Sequence, residues 1–202
     1  MIKPKHIAVA GNIGAGKTTL TEMLSKHYKW IPQFENVDDN PYLFDFYEDM
    51  PRWSFNLQIF FLNSRLNQLL DIHRGTETVI QDRTIYEDAM IFAPNLHEMG
   101  LMNKRDFDNY YKFFETLKSM VKAPDLLIYL KASVPTLVGQ IQKRGREFDY
   151  LKKLNEYYNK FIENYREGPL LVIDVDKNKF AEKEEDFGEI INKIDGMLFG
   201  LF

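Results

Sequence analysis

The chain has 202 residues, of which 45% are hydrophobic and 14% aromatic, and it carries a net charge of −4 and no cysteine. This composition predicts one globular domain over residues 1–202 and excludes a disulfide framework and a zinc–cysteine site. The sequence shows no excess of basic residues, no signal-peptide pattern and no run of roughly 18 apolar residues. We therefore expect a cytoplasmic protein that binds neither nucleic acid nor membrane.

Apolar runs alternate with helical periodicity along the whole chain. Strands are predicted at 6–10, 33–37, 78–83, 125–133 and 170–175. Helices are predicted from Gly16 through Tyr28, from Pro51 to a stop at Gly75, and around 85–92, 103–122, 134–144, 150–166 and 184–199. Short strands that are apolar on both faces and separated by helices indicate an α/β fold, with a five-stranded parallel sheet covered by helices on both faces. Because ligands of such folds bind at the carboxyl ends of the strands, we expect the site where the first three strands end.

A glycine-rich motif, "GNIGAGKTT", follows the first predicted strand directly and opens the first predicted helix. It satisfies G-x-x-x-x-G-K-[ST], and this strand–loop–helix context makes it a phosphate-binding loop. Its backbone N–H groups cradle phosphate oxygens, Lys17 supplies a point charge and the Thr18 hydroxyl offers a Mg²⁺ ligand. The candidate ATP-binding residues are Gly11, Asn12, Ile13, Gly14, Ala15, Gly16, Lys17, Thr18 and Thr19.

The residues after the third strand favour phosphoryl transfer over a switch or a motor. A guanine-reading "NKxD" element belongs on a loop, but "NKID" at 192–195 falls inside the last predicted helix. A motor ATPase usually ends an apolar strand in an acid, whereas "LLIYL" is followed by Lys131. The third strand ends instead in "QDRT", where Asp82 could hold Mg²⁺ through water and Arg83 could neutralise a phosphoryl group in flight. A plain surface Asp–Arg pair is the alternative.

Two further segments are consistent with transfer to a hydroxyl. Glu35 closes the second predicted strand and could take a proton from an acceptor hydroxyl, although a solvated glutamate is the simpler interpretation. In "KRGRE", the cations Lys143, Arg144 and Arg146 bracket a glycine between two predicted helices. Such a loop suits a lid, at about 143–150, that closes over ATP and supplies arginines to the transition state. A basic helix C-terminus is the alternative interpretation.

The helix that begins at Pro51 carries two polar stripes. Asn56, Asn63 and Asn67 share one stripe, while Gln58 and Arg65 lie nearly opposite, among large apolar side chains. One stripe can meet solvent, but the second needs another partner. A subunit interface would supply one; so would a flat polar ring, since glutamine can pair with an adenine edge and arginine can donate to a purine. The acceptor is therefore predicted to be a nucleoside.

With these residues in place, the chain resembles the deoxynucleoside kinases, and within them the short bacterial deoxyadenosine/deoxyguanosine kinases. The resemblance covers nearly the whole length. It is carried by "GNIGAGKTT", "ENVDDNPYL", "YEDMPRWSFNLQIFFLNSR", "QDRTIYED" and "KRGREFDYL". It implies a P-loop kinase fold that transfers the γ-phosphate of ATP, with Mg²⁺, to the 5′-hydroxyl of a deoxynucleoside. It also implies a homodimer packed through helices.

For the acceptor, the resemblance implies that Glu35 is the general base on the 5′-hydroxyl and that Gln58 reads the base edge. Tyr47 would bind the sugar 3′-hydroxyl, with Asp149 as its partner. Beneath the base, the resemblance implies a charged pair formed by Arg65 and Asp88.

For the donor, the resemblance implies that Arg83 sits between Glu35 and the phosphoryl group and that Arg144 and Arg146 are lid arginines. Two positions depart from the family pattern. Many relatives have proline where Asn36 stands, and many have arginine at the position of Gln140, so Lys143 is a possible substitute cation.

Two alternatives stay open from the sequence. Nucleoside monophosphate kinases, such as thymidylate kinases, share the phosphate loop and an Asp–Arg pair. They usually carry an "REPGGT"-like stretch after the second strand, where this chain has "ENVDDNPY". The other alternative is a P-loop binding module without phosphotransfer.

Overall fold

A computed structural model of the chain describes residues 6–35, 39–141 and 148–200. The backbone divides into two compact units. The first, which we call the sheet unit, is made of Met1–Phe34, Thr76–Arg83 and Ala123–Phe202. The second, which we call the helical unit, is made of Glu35–Gly75 and Thr84–Lys122.

The sheet unit contains five parallel strands in the order β2-β3-β1-β4-β5, which confirms the predicted architecture. The strands are β1 (His6–Gly11), β2 (Ile31–Gln33), β3 (Val79–Asp82), β4 (Leu126–Lys131) and β5 (Leu170–Asp174). Every residue of β1 is buried, as the central strand of a sheet covered on both faces requires. Val9 of β1 pairs with Asp82 of β3, so the two strands end close together.

Helices of the sheet unit supply apolar side chains to the sheet. They are α1 (Lys17–Tyr28), α7 (Val134–Ile141), α8 (Phe148–Asn164) and α9 (Glu184–Phe199). One core cluster joins Leu20 and Leu24 of α1 with Leu137 of α7, Leu151 of α8 and Ile190 of α9. The letters "NKID" lie within α9, so they are part of a helix, as predicted.

The helical unit carries the remaining helices. They are α2 (Leu43–Glu48), α3 (Met50–Arg74), α4 (Ile85–Glu87), a π-helical turn (Asp88–Phe92), α5 (Ala93–Glu98) and α6 (Lys104–Met120). One of its apolar clusters joins Phe46, Leu57, Leu96 and Met102. None of the helices described in the two units has the length and apolar character needed to span a membrane.

One local expectation was wrong, and two local features were not predicted. The second strand was predicted at 33–37, but its pairing with β3 runs from Ile31 opposite Val79 to Gln33 opposite Gln81, and Phe34 and Glu35 lie outside it. Backbone pairing, rather than local alternation, decides where this edge strand ends. The short helix α2 was not predicted, and the helix expected around 85–92 is interrupted by the π-helical turn.

Candidate active site

The loop between β1 and α1 depends on its glycines. Gly16 precedes α1 with φ 93°, and a Cβ atom there would lie 3.1 Å from Cζ of Phe180. A Cβ atom on Gly11 would lie 2.9 Å from the backbone oxygen of Leu130. Only glycine fits both the left-handed backbone and the close approach, so the loop delivers its N–H groups at the N-terminus of α1.

Asn12 ties this loop to α8. Its side chain is buried, and its Nδ2 donates to the backbone oxygen of Leu151 at 3.0 Å and to Oδ1 of Asn155 at 2.8 Å. Its Oδ1 accepts a hydrogen bond from the N–H of Ile13 at 2.7 Å. The Nζ of Lys17 donates to the Asn12 carbonyl at 3.1 Å, which holds the cation within the loop. These hydrogen bonds hold the loop against α8 and keep Lys17 within it.

Thr18 and Asp82 form the oxygen pair that the sequence predicts for Mg²⁺. The Thr18 hydroxyl donates to Oδ2 of Asp82 at 2.6 Å, and Asp82 is buried at the end of β3. No cluster of three or more metal-ligating side chains occurs among the residues that the structure describes. Magnesium in nucleotide sites usually takes only one or two protein oxygens and completes its shell with phosphates and water, so this pair suits it.

Arg83 has an unusual backbone. Its φ is 72°, a left-handed conformation that arginine rarely adopts. The N–H of Arg83 donates to the Val9 carbonyl at 2.9 Å, and its Nη1 lies 3.5 Å from the Tyr158 hydroxyl, to which it donates. Tyr158 in turn stacks on Tyr129, with 5.9 Å between ring centroids. A strained arginine held directly after Asp82 is the kind of feature that collects at functional sites.

In the helical unit, one arginine contacts two carboxylates. Arg65 is 2% exposed; its Nη2 donates to Oε1 of Glu35 at 2.9 Å and its Nε donates to Oδ2 of Asp88 at 3.3 Å. The structure contains the Arg65–Asp88 ion pair that the resemblance implies, and its place beneath a nucleobase stays a prediction. The Arg65–Glu35 ion pair was not predicted. A buried guanidinium is stable here because carboxylates compensate its charge.

Two more buried polar groups belong to this unit. Gln58 and Tyr110 are 4% and 0% exposed, and within the described residues the Gln58 Oε1 and the Tyr110 hydroxyl accept or donate no hydrogen bond. Burial raises the pKa of Tyr110 well above 10; the charge of Asp88 raises it further and that of Arg65 lowers it. Tyr110 is therefore a neutral hydroxyl in the electrostatic field of the Arg65–Asp88 pair.

The position of Asp88 is set by a helix start that the sequence signals. In "TIYE", Thr84 and Glu87 form a capping box, with the Thr84 N–H donating to Oε2 of Glu87 at 2.8 Å. The π-helical turn begins immediately afterwards, and its last N–H, from Ala93, donates to the Asp88 carbonyl. The capping-box spacing was available in the sequence, whereas no pattern indicated the π-helical turn.

The two stripes of α3 are confirmed. Asn63 and Asn67 are exposed and Asn56 is partly buried, whereas Gln58 and Arg65 are buried. The buried stripe therefore lies in the interior of the helical unit, with Asp88 and Glu35 on Arg65.

The remaining predicted residues are Tyr47, Asp149 and the cations of the predicted lid. Tyr47 lies on α2 and is 56% exposed, while Asp149 lies exposed in the first turn of α8. They belong to different units. Arg144 and Arg146 fall outside the described residues, as does Lys143, so the lid stays a prediction.

A parallel sheet whose central strand leads through a glycine-rich loop into a helix, with Lys17, Thr18 and Asp82 at that loop, defines a P-loop nucleotide-binding protein. The profile of the deoxynucleoside kinase family matches residues 7–198. The chain belongs to this family.

Individual relatives agree with that assignment. The chain is 38% identical to the deoxyguanosine kinase of Lactobacillus johnsonii, over 93% of this chain and 90% of that protein. It is 35% identical to the deoxyadenosine/deoxycytidine kinase of Bacillus subtilis, over 96% and 94%. The solved deoxyadenosine kinase from M. mycoides with bound dATP aligns with a TM-score of 0.79 at 29% identity, over 94% and 98%. The protein is thus an ATP-dependent deoxynucleoside kinase.

Proposed function

We propose that this kinase transfers the γ-phosphate of ATP to the 5′-hydroxyl of a purine deoxynucleoside, with deoxyadenosine as the preferred acceptor. The observation that carries the proposal is the buried Arg65–Asp88 ion pair on the same face of α3 as Gln58. The names of the relatives divide between deoxyguanosine and deoxyadenosine/deoxycytidine, so the choice of base rests on this pocket.

On the acceptor side, each group has a distinct role. Glu35 accepts the proton that leaves the 5′-hydroxyl as that oxygen attacks the γ-phosphorus. The Gln58 amide forms hydrogen bonds with both the donor and the acceptor on the pairing edge of adenine. Arg65 donates to the ring nitrogen on the far side of the purine. Thymine places a methyl group where Arg65 and Asp88 stand, and it would leave their charges desolvated.

On the donor side, the phosphate loop holds the ATP phosphates and Lys17 neutralises the outer ones. Thr18 and Asp82 would hold Mg²⁺, which supplies further charge neutralisation when bound. Arg83 stabilises charge on the phosphoryl group in flight, and Arg144 and Arg146 close over it as lid arginines. These assignments follow from the resemblance together with the contacts of Thr18, Asp82 and Arg83.

The remaining assignments follow the resemblance alone. Tyr47 and Asp149 keep the sugar-binding roles that it implies. We also keep the homodimer and the cytoplasmic location as predictions.

A competition assay tests the proposal. An equimolar mixture of deoxyadenosine, deoxyguanosine, deoxycytidine and thymidine is incubated with ATP, and the monophosphates are quantified. We expect deoxyadenosine first and thymidine near background, because a missing hydrogen bond to a buried charged group costs roughly 1.5–3 kcal/mol, a factor of about 10–100 in kcat/KM. A wild-type preference for thymidine would contradict the pocket assignment.

A paired variant sharpens the result. Arg65→Met with Asp88→Ala removes both charges and opens room for the thymine methyl group, so thymidine turnover should rise relative to deoxyadenosine. Asn67→Ala, on the exposed face of the same helix, is the matched control and should leave the product ratio unchanged. An unchanged ratio in the double variant would show that this pair does not select the base.

A further inference from the structure

The Arg65 guanidinium joins two carboxylates that the proposed mechanism uses for different purposes. Its Nη2 lies 2.9 Å from Oε1 of Glu35, the proposed general base, and its Nε lies 3.3 Å from Oδ2 of Asp88, the acid of the base pocket. The side chains of Arg65 and Asp88 are 2% and 3% exposed, while that of Glu35 is 25% exposed. One buried cation therefore reaches from the interior to the partly exposed carboxylate.

We infer that Arg65 is a positioning residue for Glu35, so that a nucleobase which binds Arg65 also releases the catalytic carboxylate. This inference rests on the proposed function, in which Glu35 accepts the proton of the 5′-hydroxyl. It adds a kinetic consequence: recognition of the base influences the rate of the chemical step as well as the affinity.

The physical reason is competition for the same donors. A carboxylate that is paired with a guanidinium holds a proton less readily, because the adjacent cation favours the charged form. In the proposed complex, a purine ring nitrogen that accepts a hydrogen bond from the Arg65 guanidinium turns Nη2 toward the base and weakens its contact with Glu35. Asp88 meanwhile keeps its contact with Nε, so the buried guanidinium stays compensated throughout the exchange.

Chain geometry supports a rigid anchor at Asp88 and a movable contact at Glu35. Asp88 follows the Thr84–Glu87 capping box and begins the π-helical turn, which fixes its backbone. Glu35 lies outside any strand or helix, two residues after β2 ends at Gln33. When Arg65 changes partner, we expect Glu35, on the irregular backbone, to reorient while Asp88 stays in place.

The test compares two substrates that differ in one atom. 7-Deaza-2′-deoxyadenosine has a C–H group in place of the ring nitrogen N7, and it keeps the sugar, the 5′-hydroxyl and the pairing edge. With the wild-type enzyme, we expect kcat for the analogue to fall by about tenfold relative to deoxyadenosine, in proportion to one lost charged hydrogen bond. An effect on KM alone, with equal kcat values, would overturn the inference.

Variants then assign the effect to Arg65. In Arg65→Met combined with Asp88→Asn, which leaves no uncompensated buried charge, the two substrates should have equal kcat values within about twofold. Asp88→Asn alone keeps the Arg65–Glu35 contact and should retain the kcat difference. A difference that persists without Arg65 would overturn the inference, and thermal unfolding checks that each variant is folded.

The outcomes separate this inference from the proposed function. If the wild-type enzyme phosphorylates neither nucleoside, the proposed function fails. If it phosphorylates both with equal kcat and different KM, only the coupling through Arg65 fails. Should the double variant not fold, the comparison of kcat and KM in the wild-type enzyme still decides the question.

Discussion

Substitutions of Arg83 should change the stability of the protein and its activity independently of each other. The Arg83 φ of 72° lies in the left-handed region. There the Cβ atom of any residue except glycine approaches the carbonyl oxygen, at a cost of roughly 1–2 kcal/mol. Replacing Arg83 with alanine keeps that strain, whereas replacing it with glycine removes it. We therefore expect Arg83→Gly to be more stable than Arg83→Ala by about 1 kcal/mol, or about 2–4 °C in Tm for a chain of this size.

Both variants lose the guanidinium that lies 3.5 Å from the Tyr158 hydroxyl and, in the proposed mechanism, stabilises the phosphoryl group. We expect kcat to fall by about 10² or more in each, the scale at which a preorganised transition-state contact contributes. Urea unfolding and steady-state kinetics on the two variants measure both effects.

A matched pair at Lys112, exposed within α6, calibrates the experiment. In a regular helix the order reverses, and Lys112→Ala should be more stable than Lys112→Gly by about 1 kcal/mol. If the Arg83 pair followed the order of the Lys112 pair, the strain at Arg83 would be refuted. Turnover within a few-fold of wild type in Arg83→Gly would refute its catalytic role.

Three further substitutions test separate parts of the account. Glu35→Gln cannot accept the proton, so kcat should fall by about 10²–10⁴ with ATP affinity little changed; near-normal turnover would move the base elsewhere. The folded-state pKa of Tyr110 is raised above 10.0, so above pH 10 only the unfolded chain ionises this group and stability falls with pH, by up to about 1.4 kcal/mol per unit. Tyr110→Phe should therefore flatten the decline in unfolding free energy between pH 10 and 11, and parallel declines would contradict this. Gly16→Ala should lower stability by about 1 kcal/mol or more and raise KM for ATP. The φ of Gly16 is 93°, and the added Cβ atom would lie 3.1 Å from Cζ of Phe180. Its control, Gly139→Ala in α7, has open space around the added Cβ and should be neutral or stabilising.

The sheet and the phosphate loop could be predicted because their signals are local. Gly11, Gly16 and Lys17 satisfy a spacing that phosphate binding itself requires, and five apolar runs between helical segments leave few alternatives to a parallel sheet. The end of β2 could not be predicted in the same way, because it depends on backbone pairing between Gln33 and Gln81, far apart in the chain.

The candidate site was predictable to a smaller extent. Seven-residue spacing placed Gln58 and Arg65 on one buried face of α3, and the resemblance supplied Asp88 as the partner of Arg65. The contact between Arg65 and Glu35 spans 30 residues and arises only from tertiary packing. No sequence pattern indicated the left-handed backbone of Arg83 either.

The most direct test of the central claim is a stoichiometric product analysis. Purified enzyme is incubated with ATP, Mg²⁺ and deoxyadenosine, and in parallel with ATP, Mg²⁺ and deoxyadenosine 5′-monophosphate, and the nucleotides are separated and quantified. We predict equal amounts of ADP and deoxyadenosine 5′-monophosphate in the first reaction and no ADP above background in the second. ADP formation without the nucleoside, or only with the monophosphate, would contradict it.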